Sequence, residues 1–291
     1  MISINPAEIP VPKMHHYLLD TIAPRPIAFA STIDSKGNPN LSPFSFFNAF
    51  GVNPTTLIFS PSRRGRDNTT KNTYENILDV PEVVINVVTY DIVQQASLSS
   101  TEYPDETNEF IKAGLTMQPS ERIRPFRVGE SPVQYECKVR EVMQTGTQGG
   151  AGNLVICEIL LFHIDPAILR EDGSVDPDKI RLVGRMGRDY YARAFGESVF
   201  EVEKPIQKKG IGIDQLPDKV RNSKILTGNE LGMLGNLEKL PGESEISDVR
   251  KTETVSAILQ YPDDAESVLI TLARRYLHEG KAYEALKILM I

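Results

Sequence analysis

The chain reads as mainly β: an antiparallel β-barrel with inserted helices over residues 1–205, followed by a helical C-terminal extension over 206–291. Three observations predict this. Short runs rich in β-branched and aromatic residues recur through the first part, each bounded by Gly, Pro, Asn or Asp. The helical stretches between them come irregularly, whereas a doubly wound parallel sheet alternates strand and helix. Near KPIQKKG, residues 204–210, the strand-like runs stop and helical segments take over.

Taken in order, Pro6, Pro10 and Pro12 precede MHHYLLD, which predicts an extended lead-in and at most a short helix. The segment PRPIAFAST fixes φ at two prolines and then runs apolar into two hydroxyls, a buried strand over Ile27–Ile33. Asp34, Gly37 and Asn38 supply a turn, so the chain doubles back. The next extended segment, Leu41–Phe50, mixes Ser42, Ser45 and Asn48 with Phe44, Phe46, Phe47 and Phe50, a lining suited to a planar ligand with polar edges. Thr56–Ser60 is a short strand ended by Pro61. Asp67 to Thr70 can cap a helix running to about Leu78, Pro81 stops it, and Glu82–Thr89 is a buried strand. Short helices follow at 91–99 and 109–113, the second ended by Gly114, and residues 115–130 read as irregular. Val133–Val142 and Asn153–Phe162 are strands joined by TGTQGGAGN, a hairpin turn that lacks the strand-to-helix setting of a phosphate-binding glycine motif. A shorter strand falls around Arg181–Val183. Beyond the boundary, 229–240, 253–259 and 265–290 are helical, the last interrupted at Gly280 and carrying an apolar stripe through Leu269, Leu272, Ala273 and Tyr276. LARRYLHEGKAYEAL looks like one tetratricopeptide-type hairpin; a single copy predicts a packing or dimer-contact appendage, not a peptide-binding array.

At 291 residues, with 40% hydrophobic and 24% charged side chains, the chain can bury a substantial core. A net charge of -7 argues against a general nucleic-acid binder. No apolar run spans a bilayer and no signal core opens the chain, so a cytoplasmic protein is expected. Cys137 and Cys157 sit in Val/Ile-containing strand runs and read as buried free thiols; with four scattered histidines, no metal site is expected.

Ser62–Asp67, SRRGRD, places Arg63, Arg64 and Arg66 just ahead of a helix N-terminus. Guanidinium forks and free helix N–H groups together make a cradle for a phosphate dianion; the same residues also describe a solvated basic loop beside an ordinary capped helix. His15 and His16 read as a surface pair.

PRPIAFAST, NLSPFSFFNAF, KNTYENI, VVINVV, AGLT, SPVQYEC, LVICEILLFH and VGRMGRDYY, in this order over about residues 15–200, resemble the flavin reductase-like family, the FMN-binding split barrels. The resemblance implies a six-stranded antiparallel Greek-key split β-barrel, a homodimer, and FMN near the subunit interface. By position, Ser31 and Thr32 match the hydroxyls after the first strand, and Ser45, Phe46 and Asn48 match the flavin-lining segment. Lys71 and Thr73 take the places of the phosphate motif, Asn72 replaces its acidic residue, and Arg63, Arg64 and Arg66 add charge. His163 matches a family histidine beside the nicotinamide, although a strand-end histidine making a structural hydrogen bond fits equally. The implied activity is hydride transfer from NADH or NADPH to flavin N5, with reduced FMN passing electrons onward, a protein acceptor included. The alternative is an FMN-binding protein or electron carrier without nicotinamide turnover, its helical tail binding a partner.

Overall fold

The computed structural model describes residues 1–104, 106–206 and 208–291, and the chain divides into two compact units, Met1–Phe200 and Glu201–Ile291. The division falls a little before the 205/206 boundary that composition predicts.

The first unit opens with α1 (Val11–Thr21), longer than its sequence promised, with Pro12 in the first turn where a missing N–H costs nothing. Strand β1 (Ala28–Ile33) follows, then β2 (Pro39–Phe44), β3 (Phe47–Val52) and β4 (Thr55–Phe59). Helix α2 (Asn72–Asp79) leads into β5 (Glu82–Val87), α3 (Val93–Leu98) and α4 (Glu109–Ala113). The stretch expected to be irregular contains a small ribbon of β6 (Met117–Gln118) and β7 (Arg127–Val128). The long hairpin β8 (Val133–Gln144) and β9 (Asn153–Ile164) comes next, then α5 (Pro177–Ile180) and a second ribbon, β10 (Val183–Arg185) with β11 (Tyr191–Arg193).

Seven strands form one antiparallel sheet in the order β2-β1-β5-β8-β9-β4-β3. The expected single strand over Leu41–Phe50 is two strands, β2 and β3, which lie at opposite ends of that order and are separated in the chain only by Ser45 and Phe46. Only two residues therefore separate the two edge strands at this point of the chain. The division contributes one of the seven strands of this sheet. Pro39 and Pro43 are accommodated because β2 is an edge strand, where a missing N–H removes no ladder bond. The β1–β2 turn closes as Asp34 Oδ1 accepts the N–H of Lys36 (2.9 Å) and of Asn38 (2.8 Å), with Gly37 at φ +91°.

All six residues of β1 are buried, because the strand is covered on both faces. Ala28 and Ala30 join Phe59, Val83, Ile85 and Cys157 in one cluster, while Phe29 joins Ile27, Leu41 and Phe110 in another. Cys137 and Cys157 are buried free thiols, as read from the sequence.

The second unit is helical: α6 (Asp218–Arg221), α7 (Gly228–Gly235), α8 (Glu243–Arg250), α9 (Glu253–Leu259), α10 (Pro262–His278) and α11 (Ala282–Leu289). Its own core gathers Leu234, Ala273, Leu277, Ala285 and Leu286, all essentially inaccessible. Gly280 takes φ +74° at the α10–α11 corner, the left-handed conformation that ends α10. Thr227 and Glu230 form a capping box at α7, and Arg274 Nε reaches Glu230 Oε1 at 2.6 Å, which ties α10 to that cap. No helix among the described residues is long and apolar enough to cross a membrane.

Candidate functional site

Where β4 ends, Pro61 breaks the ladder and the chain turns into the arginine loop. The loop is closed by Arg64 N–H to Thr69 O (2.8 Å) and Asn68 N–H to Arg64 O (2.9 Å), with Asn68 in the left-handed region at φ +59° that asparagine tolerates. It docks on the β8–β9 turn through Arg63 N–H to Ala151 O (2.9 Å) and Gly150 N–H to Arg63 O (3.1 Å). A Cβ at Gly149 would stand 3.1 Å from the carbonyl oxygens of Arg64 and Gly65, which accounts for part of the glycine content of TGTQGGAGN.

The loop forms one wall of a cavity of about 450 Å³. The other walls are His15 and Leu19 from α1, Pro43 to Phe46 at the β2–β3 link, Ser60 and Ser62 after β4, Lys71 at the head of α2, and Glu102. Four cationic side chains, Arg63, Arg64, Arg66 and Lys71, thus face one carboxylate. Burial, and then the charge of Arg64, lower the Lys71 pKa below the ordinary lysine value, and its Nζ lies 5.3 Å from the centroid of the Phe44 ring. No carboxylate among the described residues comes within ion-pair distance of this ammonium. Glu102 receives Arg64 Nε at 3.1 Å and also pairs with Arg66; the hydrogen bond from Arg66 does most to hold its carboxyl below the usual range. His15 stands edge-on to Phe46, centroids 6.4 Å apart, and burial, with His16 and Arg25 adding to it, lowers its pKa and favours the neutral ring.

Of the residues singled out in the sequence, the cavity collects Ser45, Phe46, Arg63, Arg66 and Lys71. Asn72 follows Lys71 at the first position of α2 without lining the cavity. Thr32 and Thr73 are buried in a bracket: Asn40 Nδ2 donates to Thr73 Oγ1 (2.9 Å) and Thr32 Oγ1 (3.3 Å), and Asn76 Nδ2 donates to Thr32 Oγ1 (3.2 Å). The bracket seats α2, and therefore Lys71, on β1 and β2. Ser31 points to the other face of β1, buried, its hydroxyl lacking a hydrogen-bond partner among the described residues. Asn48 is exposed on β3, its Oδ1 accepting the N–H of Ala49 (2.8 Å).

His163 is not at the cavity either. Its Nε2 lies 2.6 Å from Oε1 of Glu136, a fully buried carboxylate on β8 that also accepts the N–H groups of Glu121 (2.9 Å) and Arg122 (2.7 Å). Burial pushes the Glu136 carboxyl up, and these hydrogen bonds together outweigh it and hold the pKa down. The structural hydrogen bond weighed for a strand-end histidine is therefore present. His15, expected at the surface, is exposed and also lines the cavity, whereas Ser60, Ser62 and Glu102 were not singled out by the sequence; the two serines flanking Pro61 at the start of the basic loop were the available signal.

Residues 21–177 match the flavin reductase like domain. The chain belongs to the flavin reductase-like family. Flavin is accordingly its ligand class and oxidoreduction its chemistry, carried on a mainly β fold with a large antiparallel sheet. An uncharacterized protein of Aquifex aeolicus is 37% identical over 189 residues, 65% of this chain and 94% of its own length. One from Halalkalibacterium halodurans is 32% identical over 206 residues, 70% of this chain and 97% of its own. Among solved structures, nitrilotriacetate monooxygenase component B from Bacillus cereus superposes with a TM-score of 0.65 at 27% identity, covering 69% of this chain and 98% of that one. A Shewanella frigidimarina chain assigned to the flavin reductases with a split barrel domain gives 0.58 at 26%, covering 68% and 95%.

Proposed function

We propose that the protein is an NAD(P)H-dependent flavin reductase that binds FMN in the cavity between α1, the β2–β3 link and the arginine loop. The observation that carries this reading is the unpaired Lys71 ammonium, placed with Arg63, Arg64 and Arg66 at one end of a cavity whose other walls are hydroxyl-bearing and aromatic. A half-buried cation without a carboxylate beside it is incompletely compensated, and a phosphate dianion completes it. Ser60 and Ser62 hydroxyls, 3.4 Å apart, and Ser45 suit a ribityl chain; Phe44, Phe46 and neutral His15 offer flat apolar surface for a ring system. The bound flavin supplies hydride acceptance from nicotinamide at its N5 and onward electron transfer.

The chain's own part is to bind and orient. Arg64 and Arg66 release Glu102 as the phosphate takes its place, Lys71 supplies a desolvated charge, and Phe46 excludes water from the ring. His163 acts as a positioning residue through Glu136 and the backbone at 121–122, not as a group in contact with nicotinamide. Exposed apolar side chains on β3 (Phe50 at 64%, Val52 at 91%) and β9 (Phe162 at 48%) support a homodimer. Anaerobic mixing with NADH or NADPH tests the reading: the flavin's visible absorbance is expected to bleach with at least one donor. Bound FMN that stays oxidised with both would leave a flavin-binding or electron-carrying protein.

A further inference from the structure

The motif VGRMGRDYY has no part in the cavity just described, yet it builds a second one. Arg185 on β10 and Tyr191 on β11, with Ser97 and Ser100 from the α3 region, close a niche of about 160 Å³. Pro43 and Ser45 line this niche and the larger cavity alike, so the two adjoin across a single stretch of main chain. The ribbon is locked in place by reciprocal backbone bonds, Arg25 N–H to Arg185 O (3.0 Å) and Arg185 N–H to Arg25 O (2.8 Å). Gly184 is required for that approach, since a Cβ there would meet Pro24 Cβ at 2.6 Å.

Among the described residues, Arg185 is the one charged residue lining the niche, set among apolar Ile27, Val88, Val93 and Ala96 and the hydroxyls of Ser45, Ser97 and Ser100. The Arg185 guanidinium carbon lies 4.7 Å from the Tyr191 ring centroid, and one amino group donates to Tyr190 O at 3.0 Å, which fixes the plane of the fork and leaves most of its N–H groups uncommitted. Behind Ser45 stands Arg25, buried, its terminal nitrogens spent on the carbonyls of Leu19 (2.7 Å), Ile22 (2.5 Å) and Met186 (3.0 Å). Arg25 Nε donates to Ser45 Oγ at 3.3 Å; the serine oxygen accepts from a cation, and its own hydrogen remains to be donated. Neither guanidinium has a carboxylate within 4.0 Å among the described residues. Burial first, and the charge of Arg185 second, lower the Arg25 pKa, against a smaller opposing effect of the Asp20 carboxylate.

We propose that this niche seats the oxyanion of the second substrate of the flavin site, a group with paired anionic oxygens received by the Arg185 fork and the Ser45 hydroxyl. The niche is too small for a flavin and is sized for a fragment: the carboxylate of a compact organic substrate, or the pyrophosphate of a nicotinamide dinucleotide. The proposal rests on the flavin reading of the neighbouring cavity.

The test uses the full chain as wild type and as Arg185→Gln, Arg185→Lys and Ser97→Leu, the last filling the niche from α3 without altering charge. FMN affinity is measured by fluorescence, benzoate binding by calorimetry with and without FMN, and KM for NADH and NADPH by turnover. Arg185→Gln and Ser97→Leu are expected to keep FMN affinity within about twofold and to weaken one anion by about tenfold or more, with Arg185→Lys recovering part of the loss. Loss of benzoate binding identifies a carboxylate substrate; a raised dinucleotide KM identifies the pyrophosphate. Unchanged benzoate binding and unchanged KM in both Arg185→Gln and Ser97→Leu overturn the proposal. If no variant nor the wild type binds FMN, the flavin reading fails by itself, and the benzoate heats measured without FMN still decide whether the niche takes an anion.

Discussion

Burial and the neighbouring Arg64 guanidinium draw the Lys71 pKa below the ordinary lysine range. A phosphate dianion favours the protonated amine, so FMN affinity should fall as pH rises through that lowered pKa, earlier than an exposed lysine would dictate, while riboflavin, lacking the phosphate, shows no such loss. Lys71→Met is expected to weaken FMN binding by about 1.5–3 kcal/mol and riboflavin binding hardly at all, as read by fluorescence titration. Glu102→Gln has the opposite sign: it frees Arg64 and Arg66 and should tighten FMN by about threefold at low salt, the gain shrinking as salt screens an exposed group. On the central strand β8, Glu136 has a pKa held below the usual glutamate value. The stabilisation from a depressed carboxyl is present above its unfolded pKa and is lost as pH falls through its folded one. Glu136→Gln should therefore cost about 2 kcal/mol at neutral pH and flatten the acid limb of a denaturant-unfolding series.

At the scale of elements, β1, β4, β5 and the β8–β9 hairpin were legible because their apolar runs are long, β-branched and bounded by turn residues. The break between β2 and β3 was not: Leu41–Phe50 is continuous in local pattern, and what divides it is that its halves pair with different partners, β1 and β4. The ribbon β10–β11 has three residues in each strand, too few for a period to show. The basic lining of the cavity was legible as SRRGRD ahead of a helix N-terminus, a pattern that a solvated basic loop shares. The places of the hydroxyls were not legible, since a threonine that faces a cavity and one that holds an asparagine are the same letter. Thr32 and Thr73 proved to serve Asn40 and Asn76. Asn40→Ala, which opens this bracket, is expected to lower stability by about 1–3 kcal/mol and to weaken FMN binding because α2 carries Lys71. Thermal melts with and without FMN measure both effects.

For the whole molecule, each unit has a core of its own, and the family match ends at residue 177, inside the first. A chain ending at Phe200 should keep FMN affinity within about twofold, and residues 201–291 alone should give a cooperative helical melt by circular dichroism. The two-residue link at Ser45 and Phe46 has a further consequence for motion. It joins the first and last strands of the sheet at the point where both cavities meet. A molecule resting against it braces two edges that lie far apart in hydrogen-bonding order, so slowed amide exchange on ligand binding should appear together in β2 and β3, and less in the central strands β5 and β8.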